Sequence, residues 1–351
     1  MSGIESSKRR FILLNAAFLL AFALFQPARL EGGEKPAAAP PEPTASPMPR
    51  PVVPPYSPPE KGFWKTLGDF FLPHYPARKV LLEKETEFHT VTVQDDELGF
   101  RHLIFLPDKG SQGTIMPGKP DVVVPNFMKC AFLALPALER VPKRVLFIGL
   151  GAGIMPRFLD KHYPELEIEA VEIDPEIPKI AAKFFGFAEG ERLKVVVDDG
   201  RVFVDHPKKK YDIIFLDAFN ARGIPFHLTT VEFYRGVRKS LAPKGVFAAN
   251  IANLEGRREQ FLADEVKTAG SVFKHVAVVE CPMKTNWVLF ASDEPLFNPE
   301  KWRADAKKID GREEWDFKLD PYFESLFSKE KTNALAKQGK LLTDDFAPVD
   351  E

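Results

Sequence analysis

The sequence predicts an α/β protein: a doubly wound, largely parallel sheet, closed by a C-terminal antiparallel hairpin and preceded by a small N-terminal β unit. Three observations predict it. The apolar run Val145-Leu146-Phe147-Ile148 leads into Gly149, Gly151 and Gly153, and a second apolar strand then ends at Glu172 and Asp174. Strand-like and helix-like segments alternate from there to residue 250, the pattern of a parallel sheet with helices on both faces. The β-rich segments 272–280 and 286–291 are joined only by Cys281-Pro282-Met283-Lys284-Thr285. A link that short suits a hairpin and cannot hold a crossover helix.

The N-terminus reads as a leader. Lys8-Arg9-Arg10 precedes an apolar run from Phe11 to Phe25, a basic region followed by a hydrophobic one of signal length. Residues 1–25 are therefore expected to be a signal peptide or signal anchor, and Arg9-Arg10 loosely resembles a twin-arginine signal. The expectation is an exported or membrane-anchored protein, cytoplasmic if the segment does not act as a signal. Residues 26–61, rich in Pro, Ala and Glu, cannot bury a core and read as a disordered tether.

The folded part divides into an N-terminal unit at 62–140, an α/β unit at 141–292 and a helical extension with a tail at 293–351. In the first, Phe88 to Gln94 and 101–106 alternate as antiparallel strands do, and 121–140 holds a helix-compatible run interrupted by Pro125 and Pro136. In the second, strands are expected at 144–149, 167–172, 193–197, 211–216 and 245–250, with helices starting near Ile154, Pro175, Gly200 and Thr230. This order of elements is the class I methyltransferase, Rossmann-like architecture.

Composition narrows the function. The net charge of −2 gives no nucleic-acid footprint. Cys130 and Cys281 have no metal-ligand spacing, and no metal is expected. They suit buried small apolar positions, or a disulfide if the chain is exported. The 31 phenylalanines point to core packing.

Ligands of open α/β sheets bind beyond the carboxyl ends of the strands. The dinucleotide fingerprint G-x-G-x-x-G would place its last glycine at Ile154; here the pattern is G-x-G-x-G. That favours an adenosyl ligand without a pyrophosphate, such as S-adenosylmethionine or its relatives. Glu172 and Asp174, about twenty residues past the turn, suit the hydroxyls of a ribose. Asp198-Asp199-Gly200 ends the third strand, where Asp199 suits an adenine amino group or, equally, a helix N-cap. Asp217 ends the fourth strand, over the reactive end of the ligand or as a strand-end turn residue.

The segments KETEFHTVTVQ, RHLIFL, RVLFIGLGAG, VEIDP, VVVDDGRVFV, YDIIFLDAF and TTVEFYRGVRKSLAPKGV resemble the spermidine synthase-like family over roughly Glu83 to Ser292. The stretches DAFNARGIPFHLTT and LLTDDFAPVD resemble a bacterial branch of it. The resemblance implies decarboxylated S-adenosylmethionine as co-substrate and transfer of its aminopropyl group to a small-molecule amine. It implies Gly149, Gly151 and Gly153 as the cofactor loop, Glu172 on the ribose, Asp199 with Gly200 on the adenine, and Asp217 as base. Gln112 matches a family glutamine loosely. It also implies pairing of two copies through the N-terminal β unit.

Two departures stand out. Ala152 occupies the place of an aspartate that contacts the cationic aminopropyl end. Asn220 occupies that of a second catalytic-loop aspartate. A buried ammonium without a carboxylate is costly, so both weaken the case for a diamine, unless Glu232 or Asp198 compensates. Methyl transfer from S-adenosylmethionine to another nucleophile, and a non-catalytic adenosyl-binding or scaffold role, are the alternatives. His227 is read as a general base or substrate contact, or as a loop histidine bonded to backbone. Asp344-Asp345 either folds over the pocket or is a solvated tail.

Overall fold

Strands β1 (Lys79–Glu85), β2 (Thr90–Asp95), β3 (Arg101–Leu106) and β4 (Ser111–Ile115) form an antiparallel sheet in chain order. The computed structural model describes residues 79–345 apart from 107–110, 139, 221–222, 253–257, 283–285, 296 and 313–314. The leader at 1–25 and the tether at 26–61 lie outside the described residues. The alternation of β2 and β3 is that expected. The edge strands β1 and β4 were not: KVLLEKE is largely exposed, and SQGTI carries little apolar signal.

Helices α1 (Asn126–Ala131) and α2 (Ala134–Ala137) follow, the first starting directly after Pro125. The α/β unit then runs β5 (Arg144–Ile148), α3 (Ile154–His162), β6 (Glu167–Glu172), α4 (Glu176–Phe185), β7 (Leu193–Val197), α5 (Gly200–Asp205), β8 (Tyr211–Leu216), α6 (Val231–Ser240), β9 (Leu241–Ile251), α7 (Arg258–Val272), β10 (His275–Glu280) and β11 (Trp287–Ser292). The sheet order is β10-β11-β9-β8-β5-β6-β7. The strands β5 to β9 pair in parallel, and β11 is antiparallel to both β9 and β10. This is the class I methyltransferase fold with its terminal hairpin. Both sheets belong to one compact unit.

Two expectations shift. The strand expected at 245–250 begins at Leu241, because a register shift opposite Tyr211/Ile213, with Lys244 at φ +60°, lets the chain enter the sheet early. The strand expected from 272 begins at His275, because Val272 ends α7, a helix whose weak amphipathicity hides it in the sequence.

Side chains alternate across the sheet as strand geometry requires. Val145 and Phe147 join the core on one face, with Phe215, Phe290 and Trp302. Leu146 and Ile148 join the other, with Phe233, Tyr234 and Phe247. Phe132 packs against Phe158, Phe215, Trp315 and Phe317, so much of the phenylalanine content is core. Each such buried ring contributes roughly 1.5–3 kcal/mol.

The chain beyond the hairpin is α8 (Pro299–Arg312), a 3-10 turn at Asp320–Ser325, and α9 (Lys329–Gln338). Trp302 of α8 is fully buried, and its Nε1 donates to Leu133 O at 2.8 Å. The two cysteines meet in the core as buried free thiols, and the neighbouring Cys130 together with burial pushes the Cys281 thiol up.

Candidate functional site

The glycine turn links β5 to α3. Gly149 has φ +96°, and a Cβ there would stand 2.3 Å from the Asp217 carbonyl oxygen. The end of β8 therefore lies against the turn, and only glycine fits. Gly153, at φ +68°, is the N-cap of α3, and its missing Cβ makes room for the Phe187 ring. Gly151 is approached by the Gln112 carbonyl, so Gln112 reaches the turn through its backbone. Packing thus accounts for part of the glycine pattern.

Glu172 is buried at the tip of β6. Its Oε2 accepts from Leu150 N at 3.0 Å and its Oε1 from Asp174 N at 3.1 Å. Burial raises its proton affinity, and these amide bonds oppose that. Glu172 therefore braces the glycine turn as well as standing beside it. Asp174 is fully buried; its Oδ1 accepts from Glu176 N at 2.9 Å, while its Oδ2 is a buried oxygen without a partner. Of the two acids, Asp174 holds the unengaged acceptor. His89 brings the N-terminal sheet to the same place: burial lowers its proton affinity, and the charge of Asp174 pulls the other way. Sequence reasoning missed His89, which looked like one more polar position in an alternating strand.

At the end of β7, Asp199 is the N-cap of α5. Its Oδ1 accepts from Arg201 N at 2.6 Å and Val202 N at 3.3 Å. His227 Nε2 meets Asp199 Oδ2 at 3.1 Å. Most of the carboxylate's acceptor capacity is in use. The histidine is paired with a carboxylate, not with backbone as a loop histidine would be. Gly200 packs its Cα face against Ile148, where a Cβ would come within 2.4 Å.

The tail reaches this corner. Arg201 donates to both oxygens of Asp344, at 3.0 and 2.8 Å, and Thr230 Oγ1 donates to Asp344 Oδ1 at 2.7 Å. Asp344 N donates to Glu232 Oε2 at 3.1 Å, so Glu232 holds the tail. Arg201, Asp205, Phe226, His227 and Asp344 line an open hollow of about 360 Å³.

Asp217 follows β8. Burial pushes its carboxyl up to about 6, opposed by a hydrogen bond from Asn250. Part of the residue surface stays accessible, but dense surroundings decide the proton affinity. Asn250 Nδ2 donates to Asp217 Oδ1 at 2.9 Å. Asn250 was visible as a polar residue ending an apolar strand, yet sequence reasoning passed over it. Asn220 exchanges backbone hydrogen bonds with Gly223 at 2.9 and 3.3 Å, closing the loop after β8. Ala152 is buried against Gly113, so no carboxylate occupies that end of the turn. Among the described residues no cluster of His, Cys, Asp or Glu could hold a metal.

The spermine/spermidine synthase domain family matches residues 129–298. The chain is 32% identical over 213 residues to a polyamine aminopropyltransferase of Vibrio vulnificus, covering 59% of this chain and 69% of that one. It is 33% identical over 230 residues to a protein of Bifidobacterium longum named probable polyamine aminopropyl transferase. That match covers 62% of this chain but spans only 50% of the Bifidobacterium protein. In fold, the chain is similar to a probable spermidine synthase from Corynebacterium glutamicum, with a TM-score of 0.63 and 22% identity, over 79% of this chain and 99% of that one.

Proposed function

Because the chain belongs to the spermine/spermidine synthase family, we propose that it is an aminopropyltransferase acting on a small-molecule amine. The donor is decarboxylated S-adenosylmethionine, seated on the glycine turn with its ribose toward Asp174 and Glu172. Asp174 Oδ2 is an acceptor without a partner, but it is fully buried, so a ribose hydroxyl would reach it only if the packing over it opens. The sulfonium supplies a good leaving group. The chain's own work is to align the amine and take its proton. The amine nitrogen bonds to the carbon next to the sulfonium, the carbon–sulfur bond breaks, methylthioadenosine leaves, and Asp217 accepts the proton.

The observation that carries this reading is the Asp217 carboxyl, borne by a residue whose backbone abuts the glycine turn and with its pKa pushed up by burial to about 6. A carboxylate so placed is ionised at neutral pH yet basic enough to accept a proton. One observation favours methyl transfer instead: Ala152 offers no charge to an aminopropyl ammonium.

Calorimetry with residues 62–351 separates the readings. Tighter binding of decarboxylated S-adenosylmethionine supports aminopropyl transfer, and tighter binding of S-adenosylmethionine supports methyl transfer. No binding of either, or of methylthioadenosine, leaves a scaffold role. Asp217→Asn should lower turnover at least a hundredfold; unchanged turnover removes the base. We further propose export through the segment at 1–25, which a C-terminal reporter fusion tests; a cytoplasmic reporter signal overturns it.

A further inference from the structure

A chain of two amides serves the Asp217 carboxylate. Asn250 Nδ2 donates to Asp217 Oδ1 at 2.9 Å, and Asn286 Nδ2 donates to Asn250 Oδ1 at 2.8 Å. The three residues stand at the ends of β8, β9 and β11, which are neighbours in the sheet. Asn250 is buried, and Asn286 is pinned by Cys281 N, which donates to its carbonyl at 2.9 Å. Chemistry fixes the direction of the chain. An ionised carboxylate only accepts, so Asn250 must turn its amino group to Asp217. Its carbonyl is then left for Asn286, which must donate.

We infer that Asn250 and Asn286 are positioning residues for Asp217: they fix the rotamer of its carboxylate, engaging Oδ1 inside the sheet and leaving Oδ2 for the proton of the acceptor. The inference rests on Asp217 being the base. The amide also stabilises the charged form against burial. Among the described residues no charged side chain contributes to the proton affinity of Asp217. The Asn250 amide is the polar group that meets its carboxylate. The relay is therefore the protein's own counterweight to desolvation.

A ¹³C carboxylate NMR titration of the full chain, assigned with Asp217→Asn, reads this without any turnover. Asn250→Ala should raise the Asp217 midpoint by about one pH unit. Asn286→Ala should raise it less, in the same direction. Where turnover is found, the acid limb of kcat should move up with the midpoint while the donor KM stays unchanged. Asn286 is partly exposed, so Asn286→Ala decides the matter if Asn250→Ala does not fold. A wild-type midpoint in folded Asn286→Ala overturns the relay, since a purely structural asparagine would change stability and leave the titration alone. If no donor gives turnover, the aminopropyl reading fails, and the titration still decides the relay.

Discussion

Gly113 of β4 lies so close to Ala152 in the glycine turn that a Cβ on the glycine would stand 2.4 Å from the alanine Cβ. The N-terminal sheet thus sits flush on the turn, and the two smallest side chains meet where the sheets touch. Gly113→Ala should lower stability by about 1–3 kcal/mol, the usual cost of overpacking. Urea unfolding measures it. An unchanged midpoint would mean that the two units move apart freely.

Glu265 of α7 is fully buried, accepts a hydrogen bond from Tyr234 Oη at 2.5 Å, and leaves its Oε1 without a partner. Burial raises its pKa to about 8. Its ordinary value is 4.5, so below that both folded and unfolded chains keep the proton and pH does not matter. As pH rises from there toward 8, the unfolded chain ionises first and stability falls by up to about 1.4 kcal/mol per unit. Glu265→Gln should flatten that decline. Thermal unfolding at pH 5 and pH 8 compares the two proteins, and parallel declines would refute the assignment.

Arg201 ties the tail to α5 through Asp344, whose pKa Arg201 holds below the usual carboxylate range. The bond is present above the ordinary carboxylate pKa and is lost as pH falls through the depressed one. Its surface position limits the contribution to roughly 1 kcal/mol. Asp344→Ala should therefore cost little stability yet speed hydrogen exchange at 226–230, which Arg201 also contacts through His227 O. Exchange measured by mass spectrometry tests this; unaltered protection there would show that the tail braces nothing.

The strands β5 to β8 were readable because Val, Ile, Leu and Phe concentrate in short runs bounded by glycine or acid, as in RVLFIG and IIFLD, the mark of buried parallel strands. The helix α7 was not, because its apolar residues are spread around its circumference. Asp199 and Asp217 were found as acids at strand ends. The pairing of Asp199 with His227, and of Asp217 with Asn250, joins residues 28 and 33 positions apart. Such pairs depend on which strands become neighbours, and residue order alone does not encode that. The tail's Asp344 was recognised only as one of two open possibilities, for the same reason.

Trp302, Trp315 and Phe317 complete the aromatic face of the sheet, and all three follow the last of the described strands. The ribosome therefore finishes the strands of this sheet before it delivers the residues that seal them. Until then the nascent sheet carries a broad greasy surface, the kind that holdases recognise. A nick between β11 and α8 would leave that cover held by packing alone.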